Sequence, residues 1–160
     1  MGKGQLTHQE IAGCLNRAID ALLEADGHLI AVDSSERSIS HCLAVHLMHQ
    51  VPGYSVDCEY NRDGFDVKRL ELNERQTTDN NIEAVTVFPD IVVHERGINE
   101  RNLLAVEMKK GSSSVSADYD FKKLKAFRHE LKYQFAAHVT LGKRTSGELV
   151  RKVVWVNTDG

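Results

Sequence analysis

Val87-Phe88-Pro89-Asp90-Ile91-Val92-Val93-His94, followed after the polar stretch Glu95 to Arg101 by Leu103-Leu104-Ala105-Val106-Glu107-Met108-Lys109, decides how this chain is read. Both segments have β character, and the polar stretch between them suits a hairpin connection. A turn centred between Ile98 and Asn99 sets Asp90 directly across from Glu107. Opposed residues on paired strands have Cβ atoms about 5 Å apart, and like charges there repel. Lys109 follows Glu107 by two positions and projects from the same face. Two carboxylates and one ammonium therefore share a patch of sheet. The patch is costly unless a cation fills it, and a divalent metal is the natural candidate.

Working outward, Val85 to His94 alternates as a strand, with Val85, Val87, Ile91 and Val93 on one face. Pro89 interrupts it and implies an edge, a bulge or a strand end beside the carboxylate. Leu103 to Met108 is apolar on both faces, as a central strand should be. Upstream, Thr7 to Glu10 is a capping box opening a helix whose inner stripe is Ile11, Leu15, Ala18, Ile19 and Leu22, with Gly27 as its stop. A second helix starts near Asp33 or Ser34 and runs to about Gln50, before Pro52-Gly53. Ser55 to Tyr60 reads as a short strand. Asn61 to Asn81 reads as an irregular excursion with one helical turn around Val67 to Leu72. A third helix covers Ala117 to Lys132, with Phe121, Leu124, Arg128 and Leu131 along one side. Phe135 to Leu141 and Lys152 to Val156 are further strands. The expected order is helix, helix, three strands, helix, two strands.

The 160 residues make one domain, 1–160, large enough to fold without staples. Cys14, Cys42 and Cys58 are odd in number and form no CxxC, which points to reduced thiols and a cytoplasmic setting. No apolar run approaches the roughly 18 residues of a membrane span, so no membrane partner is expected. The N-terminus leads into a polar helix and not an apolar signal core. A net charge of −3 provides no global attraction to nucleic acid, so any such surface is local or assisted by metal. His41, His46 and His49 lie on the second helix without an HExxH pair, and their spacing does not support zinc. No Gly-rich phosphate loop and no GxSxG is present.

Phe88-Pro89-Asp90 and Glu107-Met108-Lys109, carried on strands in the order αβββαβ, resemble the PD-(D/E)xK nuclease superfamily, the restriction-endonuclease-like fold. The resemblance covers roughly Ser34 to Leu141 and looks closest to small stand-alone bacterial and phage members. It implies an α/β core with a central mixed sheet flanked by helices, preceded here by an extra N-terminal helix. It also implies that Asp90 and Glu107 bind Mg²⁺, for which Mn²⁺ would substitute, with the backbone carbonyl of Met108 as a further ligand. Lys109 would then orient or deprotonate the attacking water and help neutralise the phosphate. Such metals are hard and are typically held by one or two carboxylates plus substrate phosphate.

Glu36 shares a helical stripe with Ile39, Ser40, Leu43 and Leu47, an expensive place for a charge without a partner. The resemblance gives it a metal-facing, catalytic role. The alternative is a capping box from Asp33 to Glu36. Lys110, Lys122, Lys125, Arg62 and Gln134 are the candidate nucleic-acid contacts; for the helical lysines a solvated face is the competing reading. The expected activity is metal-dependent hydrolysis of phosphodiester bonds in nucleic acid, DNA first, by activated water. The alternative is a non-catalytic nucleic-acid-binding or accessory protein that retains the fold. Expected partners are nucleic acid, a second copy giving each strand its own site, and a protein of a defence or repair system.

Overall fold

The computed structural model describes residues 4–60 and 88–157 in full, and between them the backbone of 62–63, 66–67, 69–76 and 82–86. Among the described residues, three helices, α1 (His8–Ala31), α2 (Glu36–Met48) and α3 (Asp118–Glu130), accompany nine strands. These are β1 (Ser55–Cys58), β2 (Arg62–Asp63), β3 (Asp66–Val67), β4 (Arg69–Gln76), β5 (Ile82–Thr86), β6 (Ile91–His94), β7 (Leu104–Lys110), β8 (Phe135–Lys143) and β9 (Leu149–Trp155).

The central sheet has the order β1-β6-β7-β8-β9. β7 and β8 are parallel, and the other three pairings are antiparallel. β7 is the middle strand, as its two apolar faces require. α1 and α2 cover one face, packing on Ile91, Val93, Leu104, Val106 and Met108. α3 covers the other through Leu124 and Phe127, which lie on Val92, Ala105 and Ala136. The fold is therefore α/β, a five-stranded mixed sheet between helical layers.

Several expectations meet their local physics. Thr7 Oγ1 accepts from the Glu10 N–H while the Glu10 carboxylate accepts from the Thr7 N–H at 2.7 Å, a full capping box. Gly27 does not stop α1. The helix departs from helical dihedrals at Asp26 and continues to Ala31. Gly27 serves packing instead: a Cβ there would lie 2.7 Å from Leu149 Cδ1. The helical turn expected at Val67 to Leu72 is replaced by β3 and β4. Leu70 and Leu72 alternate with polar residues, a period-two pattern that pairs antiparallel with β5. The strand expected over Val85 to His94 is two strands in two sheets, because Pro89 cannot donate to a ladder.

Candidate active site

The β6–β7 register pairs Ile91 with Val106, Val92 with Ala105 and Val93 with Leu104. Continued by one residue, it brings Asp90 opposite Glu107, as the hairpin centred between Ile98 and Asn99 requires. Asp90 stands just before β6, at the break that Pro89 imposes. Its Oδ2 accepts the Met108 N–H at 2.8 Å, which anchors the carboxylate against the central strand. Glu107 faces α3, as Ala105 does, and is 2% exposed.

Burial and the neighbouring Asp90 charge push the Glu107 carboxyl well above the usual glutamate range. Burial likewise raises Asp90, although the Met108 N–H works against it. The two carboxyls are close enough for each to bear on the other's pKa. Glu107 Oε1 is buried with no hydrogen-bond partner.

The charge on Glu107 does not go uncompensated, as the sequence implied. Lys123, reaching in from α3, places Nζ 2.9 Å from Glu107 Oε2. Burial would lower the Lys123 pKa, but Glu107, Asp90 and Asp120 together raise it. Nor do Glu107 and Lys109 form an exposed ion pair with each other. Lys109 Nζ lies 3.2 Å from Asp120 Oδ2, and the same oxygen lies 3.1 Å from His138 Nε2. His138 is paired with Glu107 across β7 and β8 and stacks on Phe121. Burial would raise Asp120, yet its bonds to His138 and Lys109 hold it below the usual aspartate range.

Glu36 sits at the first turn of α2, half-buried, lining a cavity of about 760 Å³ together with Asp90 and Cys58. Burial raises its pKa; Lys109 opposes this and Asp90 supports it, so all three feel one another. The capping alternative fails. Ser35 is the N-cap, its Oγ accepting the Ser38 N–H, while Asp33 has φ of 55° and binds Lys110 and Ser112.

The remaining candidates scatter. Lys110 projects to the opposite face from Lys109 and lies 3.2 Å from Asp33. Lys122 and Lys125 occupy the exposed side of α3. Gln134 precedes β8, beside Asn102 and Leu103, whereas Glu107 lies four residues further along β7. At about 3.3 Å per residue the strand itself separates them. Arg62 belongs to β2, and its side chain lies outside the described residues.

The sequence reading missed Asp120, Lys123 and His138. A signal was present: Asp120, Lys123, Leu124 and Phe127 recur at i, i+3, i+4 and i+7, the spacing of a single buried helix stripe. Among the described residues no group of three or more His, Cys, Asp or Glu is placed to hold a metal. A hard divalent cation asks for less, one or two carboxylates with water and phosphate completing its shell. Asp90 and the partnerless oxygen of Glu107 suit that requirement. No family model, curated protein or solved structure matches the chain.

Proposed function

We propose that this protein is a metal-dependent nuclease of the PD-(D/E)xK type, with a restriction-endonuclease-like core, that hydrolyses phosphodiester bonds in DNA. One observation carries the reading. Asp90 and Glu107 are set side by side at the sheet end, with a buried Glu107 oxygen lacking a partner and Lys109 two residues on. Oxygen donors in this number would favour Mg²⁺ or Mn²⁺, which Asp90, Glu107 and the Met108 carbonyl would hold. The bound ion would supply charge neutralisation at the phosphate and acidify a water.

The chain's own groups do the rest. Lys109, as an ammonium, can only donate, so it holds the attacking water and a phosphate oxygen and offsets the charge that develops there. Asp120 fixes the Lys109 ammonium from behind, and His138 fixes Asp120. Glu36, whose pKa burial raises, is the group suited to take the proton from water.

A second reading has its own support. The ion pairs of Lys123 with Glu107 and of Lys109 with Asp120 already balance charges, as a purely structural network in a nucleic-acid-binding protein would. The deciding test is cleavage of labelled single- and double-stranded DNA with Mg²⁺, Mn²⁺ or chelator, for the parent and for Asp90→Asn. Metal-dependent cutting that Asp90→Asn abolishes supports the nuclease. DNA binding with no cutting under any metal condition leaves the structural network.

A further inference from the structure

Most phenylalanine, tyrosine and tryptophan rings of this fold are packed away. Among the described residues two are exposed, Phe88 at 46% and Tyr119 at 38%. An isolated apolar side chain at a surface needs no explanation. These two are not scattered, because each lies beside the Asp90–Glu107 pair.

Phe88 stands two residues before Asp90, between the end of β5 at Thr86 and the start of β6 at Ile91. Neither strand holds it. Its neighbour Pro89 is buried, so the chain keeps the proline inside and leaves the ring outside. Tyr119 is the second residue of α3. Residues two apart on a helix point about 200° apart, onto opposite flanks. Phe121 uses one flank to stack on His138 of β8, with ring centres 4.8 Å apart. Tyr119 therefore occupies the other flank, the one nearer β6. Lys123 shares that flank one turn on, with Nζ 5.7 Å from the centre of the Tyr119 ring and 2.9 Å from Glu107 Oε2. Its charge also acts on Asp90. A single ammonium thus stands between the Tyr119 ring and the carboxylates.

Electrostatics gives this surface little hold on a polyanion. Asp90, Glu107, Asp120 and Glu36 outnumber Lys109 and Lys123 there, and the whole chain has a net charge of −3. Stacking on an aromatic ring does not depend on charge and accepts any base. It does require a base with a free face. Within a duplex, neighbouring pairs cover both faces, so a protein ring meets only a base that is unpaired or has been turned out.

We propose that Phe88 and Tyr119 are stacking platforms for the bases flanking the phosphate at Asp90, Glu107 and Lys109, and that the substrate strand is unpaired there. The position of the phosphate rests on the nuclease reading; the stacking itself requires no cutting.

The test is binding of a short fluorescein-labelled oligothymidylate and of a blunt hairpin duplex to the full chain, read by anisotropy over a salt series. Ca²⁺ is present as a hard cation that takes oxygen ligands. The parent should prefer the single strand. Phe88→Ala and Tyr119→Ala should each weaken single-strand binding about five- to a hundredfold, the usual range for one stacked base. The salt slope should stay as it is, since no phosphate contact is lost. Duplex binding should not change, and an unchanged urea midpoint shows that the variants fold. Phe88→Trp and Tyr119→Trp should bind as the parent does, and the single strand should quench the added indole. Trp155, the chain's one tryptophan, packs on His8 at 4.7 Å and supplies a fixed background. Alanine variants that bind the single strand normally, or new tryptophans that it does not quench, overturn the platforms. Equal losses on strand and duplex overturn the unpaired substrate. Cutting by a parent whose alanine variants bind normally would leave the nuclease and remove the platforms. Ring-dependent binding and quenching in a protein that never cuts with Mg²⁺ or Mn²⁺ would do the reverse.

Discussion

Glu107 is the residue on which the site turns, and a single cation, Lys123, answers its charge. In Lys123→Met the buried carboxyl loses that partner, and breaking such a pair typically costs about 3–5 kcal/mol. The size of the loss should depend on pH. A carboxyl whose folded pKa stands above its unfolded value contributes stability that is fully present below the unfolded value and lost as pH rises through the folded one. Lys123→Met should therefore lie closer to the parent at pH 5 than at pH 8 in urea melts. An equal deficit at both pH values would mean that Glu107 does not titrate between them. Lys109 carries a different burden. Lys109→Ala removes a donor to water and phosphate but no metal oxygen. It should cut the rate about a hundredfold or more while leaving Mn²⁺ affinity within a fewfold of the parent, as measured by single-turnover cleavage and calorimetry. Loss of metal binding with an unaffected rate at saturating metal would reassign the residue.

Among the elements, α2 sets Glu36. Its first turn is capped by Ser35, so Ser35→Ala should cost about 1 kcal/mol and let that turn fray. Cleavage should fall with it, whereas Ser38→Ala, which keeps the backbone N–H that Ser35 caps, should cost less in both stability and rate. Chemical denaturation with a cleavage assay on the same preparations decides this. Edge strand β1 is tied to β6 and the loop beyond it through Asp57. Its carboxylate accepts two hydrogen bonds from Arg96 and lies 2.7 Å from His94 Nε2. Burial would raise Asp57, but Arg96 and His94 hold it below the usual aspartate range. A depressed carboxyl stabilises above its unfolded pKa, and that stability is lost as pH falls through the folded one. Asp57→Asn should thus lose about 1–3 kcal/mol at pH 7 and show a shallower decline than the parent below about pH 4. An acid limb of unchanged steepness would place the parent's acid lability in other carboxylates.

Across the whole molecule, a cation that binds only the folded chain raises stability by RT ln(1 + [L]/Kd), about 2.7 kcal/mol at a hundredfold excess. Millimolar Mn²⁺ should lift the melting temperature by a few degrees, while sodium chloride at matched ionic strength should do less. The combined variant Asp90→Asn, Glu107→Gln should abolish the difference between the two salts. A rise of equal size in that variant would put the cation elsewhere. Lys123 tempers the expectation, because an incoming ion must share Glu107 with an ammonium already 2.9 Å away. Among the described residues no helix is long and apolar enough to cross a membrane.

Local chemistry in the chain determined the capping box of α1, the apolar central strand, the break at Pro89 and the pairing of Asp90 with Glu107. Each follows from near neighbours, from a period of two or 3.6, or from the length of one turn. The run Val85 to His94 shows the limit of such rules: Pro89 marks the break in it, but not that its halves join different sheets, since strand partners lie far apart in sequence. What surrounds the carboxylates was decided by tertiary structure alone. Asp120, Lys123 and His138 meet Glu107 and Lys109 only because Leu124 and Phe127 seat α3 on Val92, Ala105 and Ala136, and because β8 runs parallel to β7. The periodicity of α3 marks Asp120, Lys123, Leu124 and Phe127 as its buried stripe, but which strand residues that stripe meets is a non-local property that the period does not specify.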